Sequence, residues 1–204
     1  MRTPAIPFLA LLVLGCGGGN DAPDHQGPTL SIIGTRVRMI CSGGDCFAGI
    51  IQDDGFVHLN VWRTIEGVTE QRNEKRAQFP ITDVEVVMGG GNDVFRMYDR
   101  SIAGTLTVSM GGGDDDVDLD DGAAFGTTRI DLGSGDDTFE SNASLPAQRF
   151  RIDAGPGDDS VSLNTVLYPN ANAVIGGDGT DTITAEAELV ERLDVEGFEE
   201  RNLY

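Results

Sequence analysis

The residues best equipped for chemistry recur in five copies of one glycine–aspartate stretch. They are GGGNDVF from Gly89, GGGDDDV from Gly111, GSGDDTF from Gly133, GPGDDSV from Gly155 and GDGTDTI from Gly177, spaced 22 residues apart every time. Two columns hold only glycine: Gly89, Gly111, Gly133, Gly155 and Gly177, then Gly91, Gly113, Gly135, Gly157 and Gly179. Asn92, Asp114, Asp136 and Asp158 form a mostly acidic column that ends at Thr180, and Asp93, Asp115, Asp137, Asp159 and Asp181 form a wholly acidic one. Carboxylates beside glycine-rich backbone are hard oxygen donors. Calcium takes 6 to 8 such ligands at about 2.3–2.6 Å, whereas softer metals call for His or Cys, which these loops lack. A glycine loop for phosphate is a poor match, because it requires a helix N-terminus or a lysine and carboxylates would repel the anion. Aspartates that only cap turns in a metal-free fold are the remaining alternative.

The elements that hold these loops follow from the same period. Ahead of each loop the column Val86, Val108, Ile130, Ile152 and Val174 is β-branched, and beyond it Phe95, Val117, Phe139, Val161 and Ile183 are all apolar. Neighbouring residues alternate in polarity, which predicts strand, tight turn, strand. One such unit cannot bury its apolar side, but stacked units make a continuous core. The expected fold is therefore all-β, a parallel β-solenoid of about five 22-residue coils with an N-terminal β cap. Stacking at strand spacing of about 4.8 Å sets the aspartates in a ladder that repels itself unless cations intervene.

The copy GGDGTDTIT, residues 176–184, is a full match to the nonapeptide G-G-x-G-x-D-x-U-x, with U a large apolar residue. It resembles the calcium-binding repeat of RTX proteins. The other copies match from the second position, with Met88, Met110, Leu132 and Ala154 where the first glycine belongs. The resemblance implies a right-handed β-roll or β-helix in which the aspartates and the glycine carbonyls bind calcium between adjacent turns. Thirteen further residues follow each nonapeptide here, so ions are expected along one edge only, four at most between five loops.

The flanks complete the expected organisation. Arg2, the apolar run AIPFLALLVL and the stretch VLGC read as a signal peptide over residues 1–15, and VLGC resembles the lipobox of bacterial lipoproteins with Cys16 as the lipidated residue. The glycine- and proline-rich stretch 16–29 reads as a tether. Residues 30–80 are expected to be the N-terminal β cap, 81–188 the repeats and 189–204 a C-terminal cap, with VERLDVEGF as a degenerate sixth coil. Cys41 and Cys46 in ICSGGDCF suit a disulfide in an oxidising compartment. A zinc pair would need further ligands, and the chain offers only His25 and His58.

The formal net charge is −20, of which residues 81–204 carry −19. Nucleic acid is excluded as a partner, since a phosphate-binding face needs an excess of Lys and Arg. The expected partners are calcium ions, the membrane through the lipid anchor, and a glycan or cell-surface ligand. The expected role is that of a structural or adhesive outer-membrane or cell-surface lipoprotein, with folding coupled to calcium and no catalytic activity. The enzymatic alternative is a calcium-dependent polysaccharide lyase using Arg129, Arg149 and Arg151.

Overall fold

A computed structural model describes residues 27–53, 56–77, 80–98, 102–120, 126–142, 149–164 and 172–204. The signal, the lipidation expected at Cys16 and most of the tether lie outside the described residues. Strands follow one another as β1 (Thr29–Ile33), β2 (Arg36–Ile40), β3 (Asp45–Asp53), β4 (Phe56–Ile65), β5 (Val68–Ala77), β6 (Asp83–Val87), β7 (Val94–Tyr98), β8 (Thr105–Ser109) and β9 (Asp116–Asp120). They continue as β10 (Thr127–Asp131), β11 (Thr138–Ser141), β12 (Arg149–Pro156), β13 (Ser160–Leu163), β14 (Asn172–Asp178) and β15 (Thr182–Ala185). After one short helix, α1 (Ala187–Val190), come β16 (Asp194–Glu196) and β17 (Glu200–Leu203).

Two sheets result. One runs β1-β2-β6-β8-β10-β12-β14-β16, and the other β17-β15-β13-β11-β9-β7-β3-β4-β5. From β2 to β16 and from β3 to β17 every neighbouring pair is parallel, so each coil contributes one strand to each sheet. This is a parallel β-solenoid, and its register follows the 22-residue period, with Val108 beside Ile130 and Phe139 beside Val161.

The period is also the reason the core forms. Val86, Val108, Ile130, Ile152 and Val174 are fully buried from one sheet, and Phe95, Val117, Phe139, Val161 and Ile183 from the other. Each side chain packs on its equivalent one coil away, so apolar area leaves water in two continuous rows, at about 25 cal/mol per Å². Strand alternation does the rest: the intervening residues of β8, β9 and β10 point outward and are polar or charged.

The segment expected to cap the N-terminus does more than cover it. β2 pairs in parallel with β6, and β3 with β7, which makes 36–53 a coil in its own right. The loop SGGDC, residues 42–46, lies over GGGND, residues 89–93, at an offset of 47. The added length is the antiparallel β3–β4–β5 extension, and β1 borders the opposite sheet as an antiparallel edge strand. At the other end β16 and β17 pair in parallel with β14 and β15, so the C-terminal cap contains the further coil expected at VERLDVEGF.

Candidate metal centre: the stacked loops

Each loop links a strand of one sheet to a strand of the other, and the alternation that buries Phe95 also buries the residue two before it. Asp93, Asp115, Asp137, Asp159 and Asp181 are at most 2% exposed, while Asn92, Asp114, Asp136 and Asp158 lie at the surface. The two columns expected to act together therefore occupy different environments. Both stitch the coils, in opposite directions.

In the inner column, Oδ1 of Asp115 accepts the backbone N–H of Asp93 at 2.7 Å, Asp137 that of Asp115 at 2.8 Å, Asp159 that of Asp137 at 2.8 Å and Asp181 that of Asp159 at 2.9 Å. The ladder continues past the repeats at both ends: Asp93 accepts the N–H of Cys46 at 2.7 Å, and Glu199 accepts the N–H of Asp181 at 3.0 Å. In the outer column the bonds run forward. Oδ1 of Asn92 accepts from Asp114, Asp114 from Asp136, Asp136 from Asp158 and Asp158 from Thr180, and Asp45 begins the row by accepting from Asn92. The groups that stand between successive carboxylates are thus N–H donors, each a charge-assisted bond when the acid is ionised.

The inner carboxylates keep one oxygen unused. Oδ2 of Asp93, Asp115, Asp137, Asp159 and Asp181 is buried and has no hydrogen-bond partner. A buried polar atom left unsatisfied costs about 1–3 kcal/mol, and five in one column is a pattern that calls for a ligand or a proton. Burial is also the main reason that the carboxyls titrate high. It pushes Asp115 and Asp137 up to about 7 and Asp93 and Asp159 up to about 6, with Asp181 raised as well. The backbone N–H bonds oppose this in part, and neighbouring acids add to it.

The glycines are required by the same stacking. Gly113 has φ of +116°, and a Cβ there would meet the carbonyl carbon of Gly91 at 2.6 Å. Side chains are excluded both by the left-handed backbone and by the coil beneath. Among the expected backbone ligands, the carbonyls of Gly89 and Gly111 accept the N–H groups of Gly112 and Ser134. Pro156 occupies the corresponding position one coil later and has no N–H to give to Gly133.

Among the described residues no three His, Cys, Asp or Glu side chains converge on one point. The geometry explains this, because the inner carboxylates are strung along the axis of the stack and the outer ones face solvent. A cation in these loops would draw on one or two carboxylates and complete its shell from backbone oxygens and water. The donor set is entirely oxygen, and each loop presents one buried, unpartnered carboxylate oxygen, which fits a hard cation.

The remaining expected positions are accounted for. Cys41 and Cys46 are joined by a disulfide. Cys46 stands where the other loops have their inner aspartate, a relationship that the sequence reading missed because the hairpin disguises the spacing. Arg129 and Arg151 are neighbours on the outer face of their sheet, and Arg149 lies across from Thr127. Arg151 is paired with Asp153 at 2.8 Å. A groove of about 490 Å³ opens instead near the N-terminal end, beside β1, and its Arg36 and Arg38 are paired with Asp83 and Glu85. No family model, curated protein or solved structure matches the chain.

Proposed function

We propose that the chain is an exported, lipid-anchored β-solenoid that binds calcium in its stacked loops and serves as a structural or adhesive module at the cell surface. The observation that carries this reading is the column of five buried Oδ2 atoms without a hydrogen-bond partner. Asp93, Asp115, Asp137, Asp159 and Asp181 would hold the ions, with loop carbonyls of the glycine columns and, from the solvent side, Asp114, Asp136 and Asp158. Calcium supplies positive charge where burial otherwise penalises ionised acids, so binding energy becomes folding energy.

The lipoprotein signal resemblance supports the anchor. The adhesive role draws on the outer face of β11, β13 and β15, where Thr138, Ser160 and Thr182 stand in one row and Glu140, Ser162 and Thr184 in the next. These hydroxyls at strand spacing, with the Glu140 carboxylate beside them, suit hydrogen bonding to a glycan. Circular dichroism of the full chain tests the coupling: addition of chelator should weaken the β signal or lower its melting temperature, and a spectrum and melting curve indifferent to calcium would refute it.

A further inference from the structure

The C-terminal end of the aspartate ladder is built differently from the rest. In four loops the residue before the first glycine is Met88, Met110, Leu132 or Ala154, and each is buried. Register places Gly176 at that position in the last loop, beside Gly197 of the following coil. A Cβ on Gly176 would collide with the carbonyl oxygen of Gly197 and would lie 2.5 Å from Oδ2 of Asp181. The missing side chain is what allows these two oxygens to crowd against one position.

Asp181 is fully buried, its Oδ1 takes the N–H of Asp159 at 2.9 Å, and its Oδ2 has no partner. Glu199 then occupies the ladder position of the next coil. Its Oε2 accepts the N–H of Asp181 at 3.0 Å, and the side chain reaches solvent, leaving Oε1 for a further ligand. We propose that Asp181, Glu199 and the Gly197 carbonyl form a terminal calcium site, additional to the positions between the repeat loops, that pins the last coil to the solenoid. This rests on the calcium reading above.

The chemistry is suited to it. Two carboxylates match the charge of one divalent cation, the three groups supply hard oxygens, and water reaching the exposed Glu199 fills the remaining positions. Among the described residues the N-terminal end of the ladder has no counterpart, because Cys46 takes the ladder position there and its sulfur is committed to Cys41. The last coil also has the most to gain from a pin: β16 is held by three register pairs and β17 by four.

The test is titration calorimetry of the full chain with calcium chloride, comparing the unmodified protein with Glu199→Gln, which keeps an oxygen to accept the Asp181 N–H. The variant should bind one calcium fewer while the other sites keep their affinity. Equal counts in two proteins that both bind calcium would overturn the terminal site and leave the loop sites standing. If neither protein takes up calcium, the whole calcium reading fails and the terminal site with it. Hydrogen exchange gives a second readout: calcium should slow exchange of the Glu200 and Tyr204 amides, which donate to the carbonyls of Asp181 and Ala185, in the unmodified protein and not in Glu199→Gln, and equal slowing in both would contradict the proposal.

Discussion

Oδ1 of Asp137 accepts the backbone N–H of Asp115 at 2.8 Å, one coil away, and the oxygen beside it has no hydrogen-bond partner. One carboxylate therefore does two separable things, tying coils together and presenting an unsatisfied oxygen. Asp137→Asn retains an acceptor for the ladder and abolishes the charge. It is expected to melt within a few degrees of the unmodified protein in chelator and to lose part of the stabilisation by calcium. Asp137→Ala orphans the buried N–H of Asp115 and should cost about 1–3 kcal/mol even without metal. Thermal denaturation with and without calcium separates the two.

The raised carboxyl values predict an unusual acid profile for the metal-free protein. A carboxyl whose folded value lies above its unfolded value binds more protons when folded, so its contribution to stability is complete below about pH 4 and is lost as pH rises toward 6–7. Denaturant midpoints in chelator should accordingly fall between pH 4 and 7. Calcium should reverse the trend above pH 6, and its binding near pH 6 should release protons to the buffer. A chelated protein whose stability rose steadily from pH 4 to 7 would contradict the burial of these acids.

Glycine substitutions distinguish close approach from backbone conformation alone. Gly34 has φ of +62° with nothing within 4 Å of a Cβ, so Gly34→Ala should cost only about 1–2 kcal/mol of left-handed strain. At Gly135 a Cβ would meet the carbonyl carbon of Gly113 at 2.5 Å, and φ is +127°. Gly135→Ala should therefore be far more damaging, showing as loss of cooperative unfolding or of soluble protein. Comparable melting temperatures for the two variants would contradict the stacked-loop geometry.

The Cys41–Cys46 disulfide closes a short loop, with a sequence separation of 5. Loop-closure entropy for so small a ring amounts to about 2 kcal/mol, and a paired Cys41→Ser and Cys46→Ser variant should lose about that much. Because Cys46 sits at the head of the ladder, the loss should concentrate in β2, β3 and their neighbours, as read by hydrogen exchange.

Much of this architecture is legible in the sequence because a solenoid repeats its physics. The 22-residue period announces strands, loops and core columns together, and Val108 or Phe139 need only be apolar in step with their equivalents to be placed correctly. The first coil escapes detection for the same reason, and the last is legible only as the degenerate stretch VERLDVEGF, without its acidic ladder position. The first is displaced from the repeat by 47 residues because a hairpin intervenes, and the last sets Glu199 only 18 residues after Asp181 because its loop is shorter. The division of labour between the acidic columns was hidden by their adjacency, though strand alternation held the clue: Asp93 stands two residues before buried Phe95, and Asn92 does not. Nor could composition disclose that N–H groups stand between successive inner carboxylates. That depends on which way the backbone faces inside a turn.

The central claim is that the unpartnered oxygens of the inner column receive calcium. Metal analysis of the full chain, equilibrated with millimolar calcium and freed of unbound ion, tests it most directly. The account predicts several calcium ions per chain, at most four from the repeat loops and one from the Glu199 site, and a count of zero would contradict it.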